Sequence, residues 1–84
     1  MDHFEKQVLR IAEIYVPTKR QKMLNPETVA ALAQSILEEG QKTPILVRQD
    51  GDRFVLIEGL HRLEALKSLG ETTIIATLGQ ARRH

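Results

Sequence analysis

The 84-residue chain contains no cysteine and no tryptophan. Without cysteine there is no disulfide framework, no thiol nucleophile and no Cys-type zinc site, a usage that fits a cytoplasmic protein. Aromatic side chains make up 4% of the sequence, which leaves few ring faces on which the bases of single-stranded nucleic acid would stack. No apolar run approaches the ~18 residues of a membrane span and no signal-peptide pattern follows Met1, so no membrane partner is expected. Neither sign of charge dominates: 12 Lys and Arg face 11 Asp and Glu, a formal +1, which argues against a generic polyanion binder. The three histidines stand at no metal-ligand spacing, and no metal site is expected. A Gly-Lys-Ser/Thr phosphate loop, a Ser–His–Asp order and internal repeats are also lacking.

What remains is one compact domain over residues 1–84, with an ordered core about 8–78 and a basic tail 79–84. The spacing of Val8, Ile11, Ile14 and Val16 fits either a strand or a short helix, and a basic loop, Thr18-Lys19-Arg20-Gln21-Lys22, follows Pro17. Asn25-Pro26-Glu27 is a helix start, with Asn25 as N-cap and Pro26 in the first turn. The helix runs to about Glu39 with Val29, Leu32, Ala33, Ile36 and Leu37 as its apolar stripe, and Gly40 closes it. Residues 45–48 and 54–57 form an antiparallel hairpin around a 49–53 turn signalled by Asp50-Gly51. A second helix over 60–69 ends at Gly70, and the β-branched run 72–78 is the last strand. The class is α+β: a small mixed β-sheet with two packed helices.

The chemistry concentrates in Ile57-Glu58-Gly59-Leu60-His61-Arg62, where a strand passes through one glycine into a helix. A helix N-terminus presents unpartnered N–H groups and the positive end of the macrodipole. Gly59 lets backbone approach a ligand closely; His61 and Arg62 add donors, Arg62 as a fork suited to phosphate oxygens. The same residues also read as an ordinary junction with a solvated arginine. Glu58 has the position of a general base or metal ligand, or of a strand-end residue paired with Arg62 or with solvent. Lys19 and Arg20 become an anion clamp if their loop folds over the junction, and a solvated loop otherwise. Thr28 and Ser35 lie beside the apolar stripe, facing a ligand or marking its boundary.

Gly59-Leu60-His61-Arg62 followed by Ala65 resembles the Gly-x-x-Arg box of the ParB/sulfiredoxin superfamily. Gly40-Gln41-Lys42-Thr43-Pro44-Ile45-Leu46-Val47 resembles that superfamily's Gly-x-x-x-Pro-Ile-x-Val segment. Val16-Pro17 and Asn25-Pro26-Glu27 through Ser35-Ile36 resemble its Pro-containing loop and following helix. In order and at family spacing, the match runs from about Ile11 to Leu78, and the resemblance favours a strand near Val8–Ile11 with an extended lead into Pro17. Sulfiredoxins place their catalytic cysteine between the Gly and the His of the box; here that position is Leu60, so peroxiredoxin repair is excluded. Sulfiredoxins also line one face of the first helix with Lys, Ser and Thr; here the positions read Thr28, Ala31 and Ser35, a weaker ATP face. ParB proteins usually read Gly-Glu-Arg-Arg in the box, and this chain keeps only its first and last residues.

The resemblance implies a ParB-like nucleotide- or phosphate-binding domain, regulatory in DNA partition or a related plasmid, phage or chromosome process. It implies ATP or CTP with Mg²⁺ as ligand, held by Gly59, Leu60, His61 and Arg62 with Thr43, Pro44, Ser35, Thr28, Lys19 and Arg20, and Glu58 as the one catalytic candidate. It implies DNA contact through segments outside this chain, and a partner protein or a second copy. Two other readings stand: a small kinase, ATPase or nuclease of the same fold, and an interaction module that has lost the site.

Overall fold

The computed structural model describes residues 6–79. In chain order these are β1 (Lys6–Arg10), a 3₁₀ turn (Ile11–Glu13), β2 (Ile14–Tyr15), α1 (Thr18–Gln21), α2 (Pro26–Glu39), β3 (Ile45–Asp50), β4 (Arg53–Glu58), α3 (Leu60–Ser68) and β5 (Thr73–Gly79). The strands make one five-stranded sheet in the order β1-β5-β3-β4-β2. β1–β5 and β3–β4 are antiparallel, whereas β3–β5 and β2–β4 are parallel. The expected α+β class with a small mixed sheet is the observed one, and both long helices are packed in it.

Several local expectations are corrected. The segment 18–22 is not a loop: Thr18–Gln21 forms a short helix whose Arg20 and Gln21 N–H groups donate to the Pro17 carbonyl. Pro17 fixes the entry into that turn, and the lack of an apolar face had hidden the helix. β2 is an unforeseen strand of two residues, too short for periodicity to register. β1 begins at Lys6, ahead of the expected core start near residue 8, and Gly79, assigned to the tail, closes β5. Residues 80–84, the rest of the expected tail, lie outside the described residues, as do residues 1–5.

The hairpin is tighter than expected. Asp50 pairs with Arg53 across it, so the tip is Gly51-Asp52, and Gly51 takes the positive φ of 62° that the turn needs. Farther along, pairing passes from Leu46↔Glu58 to Val47↔Leu56. Ile57 is therefore the extra residue of a bulge, set just before the strand hands over to α3.

Ile45, Val47, Leu56, Ile74 and Ala76 from the sheet and Leu60, Leu63 and Leu66 from α3 form the core with Leu9. α3 thus lies on the sheet. α2 packs principally against α3 and buries none of its residues fully. Of the expected apolar stripe, Leu37 is 70% exposed, while its neighbour Ile36 packs against the core.

Gln41 joins the loop after α2 to the sheet. Its side-chain amide accepts from the Ile75 N–H and donates to the Ile75 carbonyl, both at 2.8 Å, and donates to the Thr43 carbonyl at 3.1 Å. The amide imitates a strand residue, continuing the pairing of β5 beyond the first residue of β3. Removing it leaves part-buried backbone groups without partners. Gln41→Leu is therefore expected to lower unfolding free energy by about 2 kcal/mol, read as a lower urea midpoint at unchanged slope. A midpoint equal to that of the wild type would mean that water replaces the amide.

Candidate functional site

The junction between β4 and α3 is built around a close approach. Gly59 sits at φ 110°, and a Cβ placed there would lie 2.6 Å from Ile45 Cγ2 and 2.9 Å from Ile45 Cβ. Ile45 itself is fully buried. The glycine is thus demanded first by packing of the chain against β3, a reason the sequence alone did not disclose. Its conformation turns the backbone directly into α3, whose N-cap position carries no side-chain cap. The contrast with α2 is sharp: there Asn25 Oδ1 accepts from the Glu27 and Thr28 N–H groups at 2.9 and 3.3 Å. The first turn of α3 keeps its amide donors and dipole field free of any side-chain cap.

In front of that turn lies a groove of about 440 Å³ lined by Arg20, Met23, Thr28, Leu32 and the run Glu58 to Arg62. The volume lies in the range of small-molecule sites. Of the residues picked out by sequence, Arg20, Thr28, Glu58, Gly59, Leu60, His61 and Arg62 are brought together here. Lys19, Ser35, Thr43 and Pro44 are not among the lining residues. Ser35 lies two turns farther along α2, and Thr43 and Pro44 lead into β3 beside the Gln41 clip.

Sequence reasoning missed Met23 and took Leu32 as core. Met23 is 74% exposed, an unbranched apolar side chain standing free at a groove wall. The available signal was a methionine placed between a basic segment and a helix cap, with no periodicity to bury it.

Charge at the groove is mixed but leans positive. Arg20 and Arg62 face a single lining carboxylate, Glu58. Among the described residues Arg62 and Glu58 form no ion pair; Glu58 is exposed to solvent, and half-buried Arg62 has no carboxylate partner there. His61 is engaged differently: its Nε2 accepts the backbone N–H of Asn25 at 3.0 Å. No group of three or more His, Cys, Asp or Glu among the described residues could hold a metal ion. Leu60, at the position of the sulfiredoxin cysteine, is 7% exposed and part of the core.

A mixed sheet carrying this glycine turn and its Arg places the chain in the ParB/sulfiredoxin fold class. The ParB N-terminal domain profile matches residues 3–83, and the chain belongs to that family. Over 60 residues, 71% of the chain, it is 40% identical to the probable chromosome-partitioning protein ParB of Campylobacter jejuni, of which it spans 22%. Sulfiredoxin from Arabidopsis thaliana superposes with a TM-score of 0.83 at 27% identity, over 92% of this chain and 86% of that one. The C-terminally truncated chromosome-partitioning protein ParB from Caulobacter crescentus, complexed with CTP-γ-S, superposes with a TM-score of 0.78 at 23% identity, over 93% and 46% of the two chains.

Two glycines separate the contributions of packing and backbone strain at the junction. Gly59 and Gly70 both have positive φ, but a Cβ at Gly70 would meet nothing within 4 Å. Backbone strain alone costs ~1–3 kcal/mol, and overpacking a core adds ~1–3 kcal/mol. Gly59→Ala is therefore expected to destabilise more than Gly70→Ala by about 2 kcal/mol in chemical denaturation. Equal losses would show that Ile45 yields without cost.

Proposed function

We propose that this ParB-family domain binds a nucleoside triphosphate, with the phosphates at the first turn of α3 and Arg62 as their principal side-chain anchor. The observation that carries the reading is the uncapped α3 N-terminus beside Arg62, which has no ion-pair partner among the described residues, opening on a groove that also receives Arg20. A helix N-terminus and a guanidinium fork are matched to phosphate oxygens, one through backbone donors and the other through paired N–H groups. The apolar wall of Met23 and Leu32 suits the less polar part of a nucleotide.

CTP is the first nucleotide to test, because the Caulobacter crescentus ParB of the same fold is complexed with CTP-γ-S; ATP is the second. Among the described residues Glu58 is the only carboxylate lining the groove, too few oxygen ligands to hold Mg²⁺ there, and the ion would arrive on the phosphates. Glu58 is exposed, and no side-chain hydrogen bond orients it among the described residues. Binding rather than turnover is accordingly the reading, with a regulatory role in chromosome or plasmid partition. DNA contact would come from segments outside this chain, and a second copy or another protein is the expected partner.

Calorimetric titration of CTP and of ATP, each with Mg²⁺, into the wild type and Arg62→Ala tests the site. Loss of one charge-assisted hydrogen-bonding group costs ~1.5–3 kcal/mol, so Arg62→Ala is expected to weaken binding roughly 10- to 100-fold. No binding to the folded wild type would overturn the nucleotide reading and leave an interaction module. Steady release of phosphate would instead favour the enzyme reading, with Glu58→Gln as its control.

A further inference from the structure

His61 and Arg62 are neighbours at the same turn, yet their surroundings give them different work. The segment from Thr18 to Asn25, which supplies Arg20 and Met23 to the groove wall, has no buried residue. Its hydrogen bonds are local: Arg20 and Gln21 N–H to the Pro17 carbonyl, Met23 N–H to Arg20, Leu24 N–H to Gln21, Gln21 Nε2 to the Val16 carbonyl. Among the described residues one hydrogen bond ties this segment to a distant part of the chain, the Asn25 N–H to His61 Nε2. Asn25 is at the same time the N-cap of α2, through its side chain to Glu27 and Thr28 and through its carbonyl to the Val29 N–H.

We propose that His61 is a positioning residue of the groove rather than one of its anion contacts. Its Nε2 holds the start of α2, and with it the Arg20–Met23 wall, against the start of α3. The inference rests on the nucleotide reading for the identity of the ligand, but the latch itself is a property of the free protein.

The hydrogen bond specifies a protonation state. An Nε2 that accepts the Asn25 N–H carries no proton, so the proton of the neutral ring is on Nδ1. An imidazolium would set one N–H against another and release the segment. The charged groups that line the groove with it are Arg20 on α1, Glu58 at the end of β4 and Arg62 on its own helix; Glu27 is in the first turn of α2, the helix that Asn25 caps. The two roles for His61 therefore have opposite signs in acid. A direct phosphate contact is strengthened when the ring gains charge, whereas a latch is broken.

The experiment has two arms, using wild type, His61→Gln (which keeps an acceptor that does not titrate) and His61→Phe (which has none). In the ligand-free protein, the Asn25 amide is followed by ¹⁵N NMR as the pH is lowered from about 8 to about 5.5. Its shift is expected to track the His61 ring in the wild type and to be constant in His61→Gln, with hydrogen exchange accelerated in His61→Phe. In the second arm, CTP with Mg²⁺ is titrated at both ends of that span, so that titration of the nucleotide itself cancels between variants. Wild-type affinity is expected to fall on acidification by about tenfold more than that of His61→Gln, the scale of one hydrogen bond. An Asn25 amide that ignores His61, or a wild-type affinity that rises relative to His61→Gln in acid, overturns the proposal. If CTP binds none of the variants, the nucleotide reading fails, and the Asn25 amide alone decides the latch.

Discussion

Ile45 and Gly59 occupy space that cannot take one more methyl group. That contact fixes how closely the end of β4 approaches the beginning of β3, and everything at the site follows from it. The chain must leave β4 with positive φ, so the next residues enter a helix without a capping side chain. Leu60 and Leu63 then fall into the core, while His61 and Arg62 project to the groove side. A buried van der Waals contact between two apolar positions thus determines where a cation and a set of amide donors are presented.

The two long helices begin near one another but are finished differently. α2 is capped by its own asparagine, and α3 is left open. Because the backbone N–H of that same asparagine reaches the α3 histidine, the closed end of one helix becomes a wall for the open end of the other. The groove is therefore assembled from chain segments far apart in sequence, and its rigidity is uneven. The α3 side stands on a packed core, whereas the α1 side has no buried residue and rests on hydrogen bonds near its ends. Local stability differs accordingly across a few ångströms of surface.

Much of this was legible in the sequence because it is local. The Asn-Pro-Glu start, the Gly40 and Gly70 stops, the β-branched last strand and the glycine junction each leave a signature within a few residues. What was not legible is nonlocal or too short. The need for glycine at position 59 lies in Ile45, fourteen residues earlier in the chain. The tie from His61 to Asn25 spans a separation of 36 and leaves no periodic trace. α1 and β2 are shorter than any repeat of hydrophobicity that would announce them. Leu37 went astray because the hydrophobic pattern of α2 is wider than the face it buries: Ile36 meets the core and Leu37 faces solvent.

The sheet order carries a further consequence, for the way the molecule comes into being. Among the described residues β1 pairs only with β5, and β3 has β5 on one side and β4 on the other. During synthesis the β3–β4 hairpin and α3 form before β5 is made, so β1 must wait for β5 before it has this neighbour. Such closure between distant parts of a chain slows folding relative to local pairing. Until β5 is made, Leu9 and the β5-facing edge of β3 lack their partners, so the interval most open to misassociation lasts until that strand appears.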